Sequence, residues 1–228
     1  MGTMSSLAAL WPASALRATA GDLELRWIDD DLLVRLADLA SRGIHADDAM
    51  PFTFPWTRGG PEQVARSVVT YQWGVRGAVG PERLTLELAV LLDGEPVGIQ
   101  AASGSAYGVR RSVETGSWLG GEHQGRGRGR RMRVLMLHLM FAGLGAREVT
   151  STAFADNPAS CAVSERVGYE LNGEELTVRE GEAAVLRRYR ITRERWAASV
   201  EEHRRLLGAD VERHGVDGVR AQLALGEG

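Results

Sequence analysis

The sequence contains no lysine, a single cysteine and no apolar run long enough to cross a bilayer. Without lysine the chain cannot form a P-loop, because that motif places a Lys before Ser or Thr at a helix start. Cys161 cannot form an intramolecular disulfide and lies in an apolar segment, where a small core residue is expected. The formal net charge of −3 provides no basic field for nucleic acid. These absences predict a cytoplasmic protein that binds neither a membrane nor nucleic acid.

Glycine and arginine alternate between His123 and Arg130, directly before an apolar, proline-free run from Arg131 to Leu144. The stretch also follows a predicted strand, so we expect a tight turn at the start of a helix. Glycine permits such a turn, and consecutive N–H groups at a helix N-terminus form a concave site for phosphate oxygens. The stretch therefore predicts a pyrophosphate-binding loop.

Two other patterns fail at this stretch. A dinucleotide fingerprint needs G-x-G-x-x-G, but its third glycine would fall at Arg130 counted from Gly125 and at Met132 counted from Gly127. Arg-Gly segments that bind RNA are long and poor in apolar residues, whereas this one is a single turn beside an apolar run. The pattern that remains is Gln124-x-x-Gly127-x-Gly129.

This pattern resembles the Q/R-x-x-G-x-G/A loop that binds the acyl-CoA pyrophosphate in the GNAT superfamily of N-acetyltransferases. A second segment, from Asp156 to Tyr169, is similar to D-N-x-x-S-x-x-V-S-x-K-x-G-F/Y in the branch that includes the ribosomal-protein alanine N-acetyltransferases, with Arg166 in place of Lys. The two segments stand in the order and at the separation of that family. The resemblance extends from Leu23 to Trp196.

The resemblance implies a mixed α/β (α+β) GNAT fold, with a mixed central sheet of about seven strands and helices on both faces. Apolar periodicity agrees with this architecture. Strands are predicted at 22–28, 84–92, 97–103, 112–119, 148–153, 171–178 and 183–189, and helices at 30–41, 61–79, 131–144, from 158, at 192–207 and at 211–225. Asp93-Gly94 predicts a type I′ hairpin turn.

We predict three parts of the chain: a flexible segment over residues 1–20, the acyltransferase domain over residues 21–191 and a C-terminal helical extension over residues 192–228. Trp196, Val200 and Leu207 indicate that the first helix of the extension packs against another surface. That surface is either the chain's own domain or a second copy in a homodimer.

The resemblance implies an acyl-CoA-dependent N-acyltransferase that moves an acyl group directly to a primary amine in a ternary complex. Acetyl-CoA is the expected donor, with succinyl-CoA as an alternative, and no metal is expected. The acceptor is either a small amine or a protein N-terminal amine. A non-catalytic acyl-CoA sensor with the same fold is the competing hypothesis, because the tyrosine that many family members use as an acid is missing.

The resemblance also implies which residues bind CoA. The pantetheine should pair along the strand that ends at Trp118, Leu119 and Gly120. The pyrophosphate should lie on the N–H groups of Gln124, Gly125, Arg126, Gly127, Arg128, Gly129 and Arg130. Asn157 and Ser160 should orient CoA, and Asn157 is in addition a suitable N-cap before Pro158.

Acyl transfer to an amine also needs a proton donor and a proton acceptor. Ser164 is the expected acid, since it stands seven residues after Asn157, where many GNAT enzymes have Tyr. Glu114 is the expected base, although strand alternation does not decide which face of the sheet it occupies. His45 ranks below it, and a water chain without a dedicated base is also compatible with the family.

The acceptor pocket is predicted around the aromatic loop from Met50 to Trp56, which forms either an apolar wall for substrate or a hydrophobic plug. Its expected substrate-binding residues are His45, Phe52, Trp56, Arg58 and Gln100. Among them, Arg58 could supply the cation that a succinyl carboxylate would need.

Overall fold

The computed structural model describes residues 6–226 and contains one large sheet. Within these residues the sheet has nine strands, in the order β7-β8-β6-β5-β4-β3-β2-β1-β9. The strands are β1 (Arg17–Ala20), β2 (Leu23–Trp27), β3 (Arg83–Leu92), β4 (Glu95–Ser105), β5 (Ser112–Leu119), β6 (Glu148–Phe154), β7 (Glu170–Arg179), β8 (Glu182–Thr192) and β9 (Glu212–His214). Neighbouring strands are antiparallel except β5 and β6, which are parallel.

Helices cover both faces of this sheet. They are α1 (Leu7–Leu10), α2 (Asp30–Ser41), α3 (Pro61–Val75), α4 (Tyr107–Arg110), α5 (Arg128–His138), α6 (Pro158–Arg166), α7 (Arg193–Ala198), α8 (Val200–Leu207) and α9 (Val216–Gln222). α2 and α3 pack on one face, and α5 with the C-terminal helices packs on the other. Among residues 6–226, no helix has the length and apolar character needed to cross a membrane. The predicted mixed α/β fold with helices on both faces is confirmed.

Local signals in the sequence account for several element ends. Asp29 caps α2 by accepting a hydrogen bond from the backbone N–H of Leu32 at 2.8 Å, and Pro61 opens α3. Asp93 and Gly94 both have positive φ, as a type I′ turn requires, and they join β3 to β4. These residues act on neighbours in sequence, so the pattern alone located them.

The two strands beyond the predicted seven lie together at one edge of the sheet. β1 falls within the segment predicted to be flexible, but residues 6–20 form ordered elements and Ala18 and Ala20 are buried in the core. β9 falls where a helix was predicted and pairs with β1. The helix starts only after Gly215, which has φ +73°, and a Cβ there would lie 2.5 Å from the carbonyl oxygen of Ala15. Residues 1–5 lie outside the described part of the chain.

The C-terminal extension packs on the chain's own domain. Its first predicted helix is two helices that meet at Ser199. Trp196 stacks on Phe141 with ring centroids 5.1 Å apart, and the ring of His138 contacts both Trp196 and His203 at 5.3 and 5.7 Å. Of the two surfaces that the sequence allowed, the intramolecular one is therefore occupied.

This buried histidine pair predicts a loss of stability in mild acid. Burial, together with the neighbouring His203, lowers the pKa of His138 to about 4, and burial also lowers the pKa of His203. An unfolded histidine titrates near 6.5, so below that pH the unfolded chain binds more protons than the folded one and the free energy of unfolding falls. We expect His138 to contribute a loss of about 2 kcal/mol between pH 6.5 and about pH 5, measured by urea unfolding.

The matched variant is His138→Asn, which cannot titrate in this range. Its free energy of unfolding should change less with pH than that of the parent protein. The same slope in both proteins would show that His138 is not the source.

Candidate active site

A large concave surface, called the cleft below, crosses the α2–α3 face of the sheet. It is bounded by the loop from Ile44 to Trp56, strands β3 to β6, the loop from Gln124 to Arg130 and helix α6. Its volume is about 1640 Å³. A site for one small ligand usually has roughly 300–1,000 Å³, so the cleft has room for two substrates.

The cleft opens where β5 and β6 diverge. The two strands pair only as far as Thr115 and Ser151, although β5 continues to Leu119 and β6 to Phe154. Beyond Thr115, the edge of β5 that faces β6 has no strand partner within residues 6–226. An extended ligand can pair with such an edge as an added strand.

The glycine-arginine loop lies at the end of this open edge. Gly125 and Gly127 have φ +72° and +76°, the left-handed region that favours glycine, and Gly127 is the N-cap of α5. The helix therefore starts three residues before the predicted Arg131. The side chain of Gln124 donates to the carbonyl oxygens of Ile44 and Leu119, which ties the loop to the end of β5.

Arginines surround the positive end of α5. Arg128 and Arg130 lie in its first turn, where the helix dipole disfavours cations, and that turn contains no acidic residue. Arg131 is paired with Asp22. Within the described residues, the guanidinium of Arg128 has one side-chain hydrogen-bond partner, Nδ1 of His123 at 2.7 Å. An anion bound at this helix end would relieve the repulsion.

Helix α6 borders the loop and presents one side to the cleft. Asn157 caps it by accepting a hydrogen bond from the N–H of Ser160 at 3.1 Å, and Pro158 follows. Asn157 and Ser160 line the cleft, as the predicted CoA contacts require.

Ser164 does not reach the cleft, so its predicted role as the acid is not supported. Ala159, Val163 and Arg166 form the cleft-facing stripe of α6 at helical spacing. Ser164 lies off this stripe and is fully buried, and its hydroxyl has no hydrogen-bond partner within residues 6–226. The spacing from Asn157 predicts the position of Ser164 along the helix, but not the direction in which its side chain points.

Gln100 is also turned away from the cleft, which corrects its predicted contact with substrate. It is fully buried on the α5 side of the sheet, where its amide N–H donates to the carbonyl oxygen of Gly116 at 2.9 Å. Its amide oxygen accepts from Arg133 at 3.4 Å.

Arg133 was missed in the sequence and lies beneath the point where β5 and β6 diverge. The residue is 4% exposed, and its guanidinium donates to Ser151 at 2.9 Å and to Ser117 at 3.2 Å, in addition to Gln100. All three acceptors are neutral. The signal that could have found it is a lone arginine inside the apolar run between Met132 and Leu137.

Aromatic residues form the acceptor side of the cleft. Phe52 lies 5.1 Å from Trp56, which lies 5.9 Å from Trp118 on β5, measured between ring centroids. All three line the cleft and also pack on the core beneath α2 and α3. The two predicted roles of the aromatic loop, an apolar wall for substrate and a hydrophobic plug, therefore belong to the same cluster. His45 lines the cleft too, but Nδ1 donates to the carbonyl of Ala46 and Nε2 accepts from Thr57, leaving no free ring nitrogen to act as a base.

Arg58 is not available to a substrate carboxylate. Its guanidinium forms two hydrogen bonds with Glu180, at 2.7 and 2.8 Å, and a third with the carbonyl oxygen of Asp47. Arg58 also does not line the cleft. Its pairing with a residue 122 positions away could not be read from the local sequence.

Six acidic residues line the cleft, and two of them, Glu87 and Glu114, lie on the central strands β3 and β5. Glu114 is exposed and accepts a hydrogen bond from Thr152 at 2.8 Å, which decides the question of its face. Glu87, which the sequence analysis missed, accepts from the Tyr71 hydroxyl at 3.0 Å and the Gln72 amide at 3.3 Å. Burial raises the pKa of Glu87 to about 7 against the lowering effect of these hydrogen bonds. Its signal was a single charge within the apolar strand from Leu84 to Leu92.

The geometry of α6 predicts that Ser164→Ala stabilises the protein. The substitution removes a buried hydroxyl without a partner, so the free energy of unfolding should rise by about 1 kcal/mol, with CoA affinity unchanged. Urea unfolding and calorimetric titration measure the two quantities. Ser160→Ala, one turn earlier, should alter stability by less than about 0.5 kcal/mol. A less stable Ser164→Ala protein would mean that this hydroxyl makes a contact.

Among residues 6–226 no cluster of His, Cys, Asp or Glu could hold a metal ion.

Comparison with known structures finds proteins of the same fold. The chain is 21% identical to Mycobacterium smegmatis RimJ in complex with CoA-disulfide (TM-score 0.62, covering 89% of this chain and 97% of that one). It is 17% identical to ribosomal-protein-S5-alanine acetyltransferase from Vibrio fischeri (TM-score 0.60, 77% and 95%). It is 16% identical to a chimera of the Vibrio cholerae spermidine N-acetyltransferase SpeG and hSSAT (TM-score 0.60, 77% and 98%).

The protein-family model for the acetyltransferase (GNAT) domain matches residues 22–170, which is more than half of the chain. This match includes the diverging strands, the glycine-arginine loop and the cleft-lining side of α6. The chain therefore belongs to the GNAT acetyltransferase family.

Proposed function

We propose that the protein transfers an acetyl group from acetyl-CoA directly to a primary amine while both are bound. The observation that carries this proposal is the open edge of β5 beside the glycine-rich start of α5. Pantetheine would pair with the first as an added strand, and the pyrophosphate would bind the second.

The residues that would hold acetyl-CoA fit its chemistry. Trp118, Leu119 and Gly120 would flank the pantetheine. Backbone N–H groups of the loop from Gln124 to Arg130 would bind the pyrophosphate, and its arginine side chains would add charge. Asn157 and Ser160 would border the cofactor from α6.

Acyl transfer forms a tetrahedral oxyanion and releases a thiolate. Backbone N–H groups of β5 beyond Gly116 would stabilise the oxyanion, because this edge is free of strand pairing. Ser160 is a cleft-lining hydroxyl of α6 and would take the acid role first considered for Ser164, donating a proton to the thiolate. Glu114 would attract the acceptor ammonium from solvent.

The acceptor would be a small amine or a protein N-terminus. Proteins of this fold include a ribosomal-protein-S5-alanine acetyltransferase and a spermidine N-acetyltransferase. The size of the cleft is compatible with either kind of amine. The pairing of Arg58 with Glu180 supports acetyl-CoA over succinyl-CoA as the donor. Arg58 is the cation that the sequence predicts for the succinyl carboxylate, and Glu180 already binds it.

Gly127→Val should weaken CoA binding at least about tenfold in calorimetric titration, because a side chain at the N-cap would distort and obstruct the loop. Gly208→Val is the matched control: Gly208 has φ +75°, caps the C-terminal end of α8 and lies outside the cleft. It carries similar backbone strain and should keep the affinity of the parent protein. Equal CoA affinity of Gly127→Val and the parent would refute the loop assignment.

Donor preference is the second test. With spermidine or a peptide that has an N-terminal alanine as acceptor, kcat/KM for acetyl-CoA should exceed that for succinyl-CoA by at least about tenfold, a difference of about 1.4 kcal/mol. Mass spectrometry of the acylated amine measures both rates. A preference for succinyl-CoA would show that another cation serves its carboxylate.

A further inference from the structure

The geometry points to Glu87 as the general base that takes the proton from the acceptor ammonium. This inference rests on the proposed acetyl transfer and adds a catalytic residue to it. Glu87 lies on β3, two strands away from the open edge of β5, and its side chain lines the cleft.

An unobstructed strip connects Glu87 to that edge. In the sheet Glu87 lies opposite Ala101 on β4, and Ala101 lies opposite Gly116 on β5, so all three positions share one face. Ala101 carries only a methyl group, and a Cβ added to Gly116 would meet no atom of the described residues within 4 Å. Two strand spacings amount to about 10 Å, which an extended glutamate, an amine and one water can span. An acceptor amine can therefore lie between the carboxylate and the thioester.

The carboxylate is held in place but keeps capacity for a ligand. Tyr71 donates to one oxygen and Gln72 to the other, and Gln72 is 2% exposed, so its amide is fixed. Each oxygen retains a lone pair for the acceptor. Arg76, the cation that borders the same wall, is paired with Asp30 at 2.6 Å. Within residues 6–226, the hydrogen-bond partners of the Glu87 carboxylate are thus the neutral side chains of Tyr71 and Gln72, and not Arg76.

Burial supports the assignment through proton affinity. It raises the pKa of Glu87 to about 7, close to the pH at which a general base is most effective. Glu114 shares the face of the sheet but is exposed, so water and salt screen its interaction with an amine. The two carboxylates thus suit different tasks, attraction by Glu114 and proton transfer by Glu87.

The proton balance of the step is complete. Glu87 carboxylate takes one proton from the ammonium, directly or through a water, and the neutral amine attacks the thioester carbonyl. The C–N bond forms and the C–S bond breaks. One of the two protons on nitrogen moves through Ser160 or water to the thiolate, and the other stays on the amide product. Glu87 then releases its proton to solvent.

The test is Glu87→Gln with two aromatic amines and acetyl-CoA at pH 7. 2-Phenylethylamine is protonated at this pH and needs a base, whereas aniline is already neutral. We expect turnover of phenylethylamine to fall at least about 100-fold and turnover of aniline to change less than about threefold. The fall should lessen as the pH rises toward the pKa of the amine. Equal losses with both amines, or no loss with phenylethylamine, would overturn the assignment.

Two further measurements separate the possible failures. CoA affinity of Glu87→Gln should equal that of the parent, and absence of CoA binding by the parent would refute the proposed function itself. Glu175→Gln, an exposed change on β7 outside the cleft, should leave both turnovers unaltered.

Carbon-13 NMR of glutamate-labelled protein tests Glu87 without any acceptor. One carboxylate should titrate near pH 7 and be absent from Glu87→Gln. A midpoint for Glu87 at the ordinary glutamate value of about 4 would overturn the inference.

Discussion

The divergence of β5 from β6 is the constraint on which the site depends. Their parallel pairing ends at Thr115 and Ser151, and at this end Arg133 donates to Ser151 on β6 and to Ser117 on β5. The Arg133 side chain, which comes from α5, thus connects the two strands where their backbone pairing ends. It does so on the face of the sheet that α5 covers. The edge of β5 stays free for a ligand, while the glycine-rich start of α5 lies directly beside it.

Burying the Arg133 cation requires that its hydrogen bonds be satisfied, since an unpaired buried charge is costly. Gln100 helps to meet this requirement and at the same time holds the carbonyl oxygen of Gly116. The ring of Tyr169 adds a contact 6.0 Å from the guanidinium. Gln100, which the sequence predicted as a substrate contact, therefore supports the cleft from beneath.

Charge is divided along the cleft. Cations cluster at the loop, where a pyrophosphate would bind, and the carboxylates of Glu87 and Glu114 face the acceptor side, where an amine would enter. At the rim, Arg179 pairs with Asp156, as Arg58 does with Glu180, so these cations are neutralised. The division agrees with a reaction between an anionic donor and a cationic acceptor.

The sequence by itself determined what depends on neighbours in the chain: the glycine turn before α5, the Asn157 cap, the hairpin at Asp93-Gly94 and most strands. Together with the two motif segments, these were sufficient to identify the family and the general place of the candidate site. Only the tertiary structure decided the pairing of β1 with β9, the direction of Ser164 and the position of Glu87 in the cleft. The physical reason is that burial and long-range pairing arise between segments far apart in sequence, where local periodicity carries no information.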